Sequence, residues 1–191
     1  MEAPTEGIPM KCLLNLAAAS VACLIVCSSS IVNARSQPDD LIMGFHLEEW
    51  TLGSQGEDKT QRVMEFVPPG QKIESWTELL TVQTLKMPRK PPDIDTMAAT
   101  TFDNLAKRCP GNVTSNVIAR EAASPSSGES ILFEWSVKDC PPEANQHEVA
   151  KIVYGKFSMF RIAFTAKTDS LAPEKREKWI AELTATKIFV H

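Results

Sequence analysis

Ile131, Phe133, Trp135 and Val137 alternate with Leu132, Glu134, Ser136 and Lys138, and the run leads straight into Cys140. Alternation with period two is the signature of a β-strand with two unlike faces, one of them buried. Such a strand cannot stand alone, so the chain must supply further strands beside it and something apolar to cover it. The cysteine at its end restricts the answer further, because only Cys109 and Cys140 lie downstream of residue 34.

The other three cysteines, Cys12, Cys23 and Cys27, lie near the amino end. There Lys11 precedes an apolar run, Leu13 to Val26, broken only by Asn15 and Ser20, and Val32-Asn33-Ala34 follows. A cation, a short apolar stretch and small residues at the peptidase positions define a secretory signal. The run is shorter than the ~20 residues that a membrane span needs. The expectation is a signal peptide over 1–34, cleavage after Ala34, and one α+β domain over 35–191. Glu2 and Glu6 are unusual for such a leader, so Met10 is an alternative start. Two rivals are an uncleaved anchor and a lipoprotein. Cys23 and Cys27 each miss one lipobox requirement: Ser20 is not aliphatic, and Val26 is not small.

With the leader removed, an even pair of cysteines in an exported chain reads as a disulfide. A loop of about thirty residues makes it worth roughly 3–4 kcal/mol in the chain-entropy model. The rival, a metal or redox pair, lacks a C-x-x-C spacing and nearby histidines.

Further elements follow from local pattern. Phe45, Leu47 and Trp50 alternate in a strand over Ile42–Leu52, Gly53–Asp58 is a turn, and Thr60–Val67 is the second strand of a hairpin. Ser75-Trp76-Thr77-Glu78 fits a capping box and predicts a helix from Trp76, although Leu80, Val82 and Thr84 also alternate. Asp95 caps a helix to about Arg108, with Ala98, Phe102, Leu105 and Cys109 on one face, and Pro110-Gly111 stops it. Asn116–Ala122, Glu148–Tyr154 and Phe157–Lys167 read as strands, the last two joined around Gly155-Lys156. Ser170 and Pro173 open a final helix with Trp179, Ile180 and Leu183 on its apolar stripe. Ile188-Phe189-Val190 closes as a short extended piece. The sum is α+β: a mainly antiparallel sheet packed with about three helices and one disulfide.

No chemical motif survives inspection. His147-Glu148-Val149-Ala150-Lys151 begins like H-E-x-x-H, but Lys151 stands where the second ligand belongs. His46 and His191 are remote in sequence. G-x-S-x-G is absent, and the hydroxyls of 124–130 serve a turn. Gly155-Lys156 and Gly53/Gly56 do not make phosphate loops. Glu48-Glu49, Asp93 with Asp95, and Glu143 with Glu148 are acid pairs best read as solvated faces. Asn112-Val113-Thr114 matches a glycosylation acceptor pattern, which is accidental in a bacterial chain. No cofactor and no metal is expected. A net charge of -4 gives no nucleic-acid footprint. The basic cluster Lys86-Met87-Pro88-Arg89-Lys90 is a proline-bound loop, with an anion or membrane-surface contact as its minority reading. Trp50, Trp76, Trp135 and Trp179 are core candidates, or a ligand or partner surface if they line a groove.

Two stretches carry a resemblance: Glu65-Phe66-Val67-Pro68-Pro69-Gly70-Gln71 leading into Ser75–Gln83, and Ala150-Lys151-Ile152 with Glu177-Lys178-Trp179-Ile180. They resemble small exported proteins of Gram-negative bacteria, and the layout is similar to the PsbP-like α+β fold. That resemblance implies binding or assembly assistance rather than catalysis, and it carries no residue-specific role. The expected function is a non-enzymatic periplasmic or secreted protein that binds another envelope protein or assists its assembly, with no transmembrane segment once the signal is removed. The rivals are a carrier of an apolar or sugar-like ligand in a tryptophan-lined pocket, and a hydrolase whose residues meet only in three dimensions.

Overall fold

The computed structural model describes residues 39–124 and 127–189. The expected leader, Val190 and His191 lie outside them. The elements are β1 (Asp40–Ile42), β2 (Thr51–Glu57), β3 (Gln61–Val67), β4 (Glu78–Lys86), α1 (Ile94–Arg108), β5 (Val113–Glu121), β6 (Ser130–Val137), β7 (Gln146–Tyr154), β8 (Ser158–Ala166), α2 (Pro173–Ala185) and β9 (Lys187–Phe189). Seven strands form one sheet in the order β2-β3-β4-β8-β7-β6-β5, every neighbouring pair antiparallel, while β1 and β9 pair separately. The α+β class and the antiparallel sheet stand as read from the sequence.

The sheet buries side chains on both faces. Ile131, Phe133, Trp135, Ala150 and Ile152 join Ile94, Ala98 and Leu105 of α1 in one core. Leu132, Val149, Val153, Ile162 and Phe164 join Trp179 and Leu183 of α2 in the other. Adjacent strand residues point to opposite faces, so β6, β7 and β8 feed both cores and are nearly continuous in apolar residues. The segment before β2 completes the second core, with Phe45, Leu47 and Trp50 packed on it. Trp179 stacks on Phe164 at 4.3 Å between centroids, and Trp50 meets Trp179 edge-on at 5.8 Å. Such aromatic pairs contribute about 0.5–1.5 kcal/mol beyond their buried area.

Two helices are present among the described residues, not three. The stretch expected to be helical from Trp76 is β4. Ser75 ends a 3-10 turn, Ile73–Ser75, and caps nothing. Thr77 N–H donates instead to the side chain of Gln71, at 2.8 Å. Leu80 and Val82 sit on one face at period two, and the strand is hydrogen-bonded to β3 on one side and β8 on the other. Two ladders of backbone bonds outweigh a capping signal worth about 1 kcal/mol.

The first hairpin is also displaced. The expected strand 42–52 contains a 3-10 turn at Leu47–Glu49, and the expected turn 53–58 is mostly strand β2. A bulge between Leu52 and Ser54 lets the glycine-rich edge strand stay paired. The true turn follows at Asp58, whose carboxylate takes the N–H groups of Thr60 and Gln61. Asp93 rather than Asp95 caps α1, accepting from Thr96 N–H at 3.2 Å.

Cys109 and Cys140 form the expected disulfide, with Cα atoms 5.6 Å apart. It ties the C-terminus of α1 to the end of β6. Asp39 makes a second long-range tie. Its buried carboxylate accepts the N–H groups of Lys156, Phe157 and Ser158 in the β7–β8 hairpin. A side chain on Gly155 would overlap that carboxylate, so the hairpin needs glycine there.

Two outcomes follow. Replacing Cys109 and Cys140 with serine lowers the unfolding free energy by about 3–4 kcal/mol in urea titration, given the loop they close. Gly155→Ala lowers it by about 1–3 kcal/mol through displacement of Asp39.

Candidate functional site

Only two of the four tryptophans meet: Trp50 packs edge-on against Trp179, 5.8 Å between centroids. Trp50 and Trp179 belong to the α2-side core, and Trp135 to the α1-side core. Trp76 lies before β4 with Lys167 Nζ 4.3 Å above its ring. Trp50 and Trp179 on one face of the sheet, and Trp135 on the other, serve packing.

Charged residues set into the apolar strands are more informative. Glu134, Glu148, Lys151 and Arg161 occupy β6, β7 and β8, where burial without a partner would cost several kcal/mol. Each has partners. On the α1 side, Glu148 accepts from the indole N–H of Trp135 at 2.7 Å, from Arg161 at 2.5 Å and from Thr165 Oγ1 at 3.0 Å. On the α2 side, Lys151 Nζ donates to Glu121 at 3.2 Å and to the carbonyls of Thr184 and Thr186 at 3.2 and 3.0 Å. Those carbonyls belong to the end of α2, where the helix leaves acceptors unpaired and carries partial negative charge. Lys151 thus caps a helix from a strand. It also forms part of the wall of a cavity of about 410 Å³ with Val153, Thr186 and Ile188.

A second cavity, of about 380 Å³, holds the one histidine of interest. His147 Nδ1 accepts from the N–H of Leu171 at 3.3 Å, and Nε2 lies 3.4 Å from Glu134. The ring proton therefore sits on Nε2, facing the carboxylate. Arg176 of α2 grips Glu134 with two bonds of 2.7 Å, and Asn116 adds one of 3.3 Å. The Arg176 fork holds the Glu134 carboxyl below its ordinary range, against the opposing effect of burial. Both imidazole nitrogens are occupied, so accepting a proton from a nucleophile would require breaking the bond to Leu171. Nearby Thr114 and Ser136 hydroxyls bond each other at 2.7 Å.

His147 and Glu148 point to opposite faces of β7, which is the geometric reason that the H-E start has no metalloprotease meaning. The remaining acids also have separate partners: Glu48 meets His46 at the surface, Asp93 caps α1, Asp95 pairs with Arg120, and Glu143 with Arg108. Among the described residues, no three His, Cys, Asp or Glu side chains gather to hold a metal ion.

What stays half-exposed is a strip across β3, β4 and β8 on the α1 side of the sheet, away from α1, which packs on β5 and β6. It carries Gln61, Val63 and Glu65, then Thr81 and Gln83, then Arg161. Gln83 Nε2 donates to Gln61 at 2.8 Å, and Glu148 fixes Arg161 from below. The result is a flat, mixed surface whose cation is held in one pose. Sequence reasoning missed Arg161, Glu134, Lys151 and Arg176. The readable signal for the first three was one or two charges set within each otherwise apolar strand.

Comparison with protein-family models and with curated proteins finds no match. No described helix is long and apolar enough to cross a membrane.

Two measurements test the structural roles. Lys151→Met removes the buried donor to the Thr184 and Thr186 carbonyls, and lowers the unfolding free energy by about 2–4 kcal/mol in chemical denaturation. Glu134 has a depressed pKa in the folded state, so its contribution is present above the ordinary value of 4.5 and is lost as pH falls through the lower folded value. Stability therefore falls on acidification below pH 4.5, and Glu134→Gln flattens that slope.

Proposed function

We propose that the chain is a non-enzymatic exported protein that binds another protein of the cell envelope, using the half-exposed strip of β3, β4 and β8. The single observation that carries this reading is Arg161, a partly exposed guanidinium held by a buried carboxylate on a stretch of sheet whose other charge is Glu65. A side chain already fixed in its pose loses little entropy on binding, and arginine is favoured at protein contacts. The disulfide supports export into an oxidising compartment, where such bonds persist. The antiparallel sheet with helices on its two faces is compatible with a PsbP-like layout, whose members mostly bind or assist assembly.

The other two readings have less support. A tryptophan-lined carrier would need tryptophans lining one groove, whereas Trp50 and Trp179 pack on each other in the α2-side core and Trp135 lies in the α1-side core. A hydrolase built on His147 would need a free ring nitrogen, and both are engaged.

Affinity capture from envelope extract, with the natural chain as bait, is expected to return one stoichiometric partner. Thr81→Lys combined with Gln83→Glu should abolish that capture while leaving the melting temperature within a few degrees. A monomer with no partner, or capture indifferent to these substitutions, rejects the reading.

A further inference from the structure

The basic loop after β4 does not stand alone in the fold. Lys86, Met87, Pro88, Arg89 and Pro91 share a surface cavity of about 500 Å³ with Tyr154, Lys156 and Phe157 of the β7–β8 hairpin. The two segments are stitched together: Met87 N–H donates to the Phe157 carbonyl at 2.8 Å, and Lys86 lies opposite Ser158 in the ladder. Two stretches about seventy residues apart in sequence therefore place Lys86, Arg89, Lys90 and Lys156 at one end of the sheet, around the half-exposed Met87 and Phe157. The nearest acid is Asp39, a buried carboxylate that accepts the N–H groups of Lys156, Phe157 and Ser158 from within the hairpin; Asp93, which caps α1, and Glu129 lie on the side of Tyr154.

This clustering runs against the charge of the whole chain, which is -4. A local excess of cations with a small apolar centre complements a surface that is anionic above and apolar beneath. A free anion would be served by the cations alone and gives no use for exposed Pro88 and Pro91 or for the half-exposed faces of Met87, which otherwise packs on the α1-side core, and Phe157.

We infer that this end of the sheet, built from the 86–91 loop and the 155–157 hairpin, is a peripheral docking surface for anionic phospholipid headgroups. The cations meet the headgroups, and Met87 and Phe157 enter the boundary beneath them. The surface is distinct from the strip proposed for the protein partner, and the two readings can fail separately.

Vesicle flotation of the full chain tests it, with phosphatidylcholine vesicles compared with vesicles containing one third phosphatidylglycerol. Each cation near such a surface is worth roughly a fivefold change in affinity, so three contribute on the order of a hundredfold. Lys86→Glu, Arg89→Glu and Lys90→Glu together should abolish the preference for phosphatidylglycerol, as should high salt. A control with the same charge change at exposed Lys59, Lys72 and Lys107 should keep it, and thermal melts of both variants check folding. Phe157→Ser should weaken binding several-fold with the cations intact. Equal binding to the two vesicle types overturns the proposal, because binding would then not depend on headgroup charge. Equal loss in the control overturns it as a net-charge effect. Binding to polyglutamate but not to vesicles overturns it in favour of an acidic protein.

Discussion

Burial of both faces of β6, β7 and β8 is the constraint on which the rest depends. A sheet with only one buried face can turn every charge towards water. Here the odd and even positions of the same strands feed different cores, so Glu148 and Lys151 of the central strand β7 have no solvent side to turn to. Glu148 and Lys151 are buried to 5% and 2% exposure. They are tolerable only because each finds partners within its own layer, and no buried side-chain nitrogen or oxygen among the described residues lacks one. The helices follow from this arrangement. α1 covers one core, and α2 covers the other and is held at its two ends by charges rising from the sheet: Arg176 to Glu134, and Lys151 to the terminal carbonyls.

The same constraint shapes the functional account. Groups that in isolation look like chemistry, a histidine beside a carboxylate and a buried lysine, are consumed by the fold. The proposed contacts rest on surface features instead: the fixed arginine on the open strip, and the cationic end of the sheet. Contacts of that kind need neither a deep cavity nor a reactive atom. One disulfide and two cores hold the sheet that carries them.

Much of the fold was legible in the sequence, for reasons that can be given residue by residue. The alternation of 131–137, the proline at the start of α2 and the pairing of Cys109 with Cys140 are local signals that no tertiary contact opposes. β4 was misread because Ser75 and Glu78 imitate a capping box, whereas its strand character comes from neighbours far away in sequence, Phe66 and Phe164 on either side of Leu80. β2 was cut short because glycine and serine usually mark a turn, and a bulge at an edge accommodates them. The candidate sites were less legible. Tryptophans draw attention by size, yet they went to packing, while Arg161 gives no sign in sequence that a buried glutamate will hold it. The expected leader falls outside the described residues, so its reading rests on sequence alone.

The central claim is that the charges within the sheet are mutually satisfied structural groups. A double-mutant cycle on Glu148→Gln and Arg161→Met, read by equilibrium denaturation, tests it most directly. The account predicts that each single change is destabilising and that the pair shows a coupling of at least about 1 kcal/mol. Additive effects, or a Glu148→Gln protein as stable as the natural chain, would mean that the carboxylate is not held by its neighbours, and the account would be wrong.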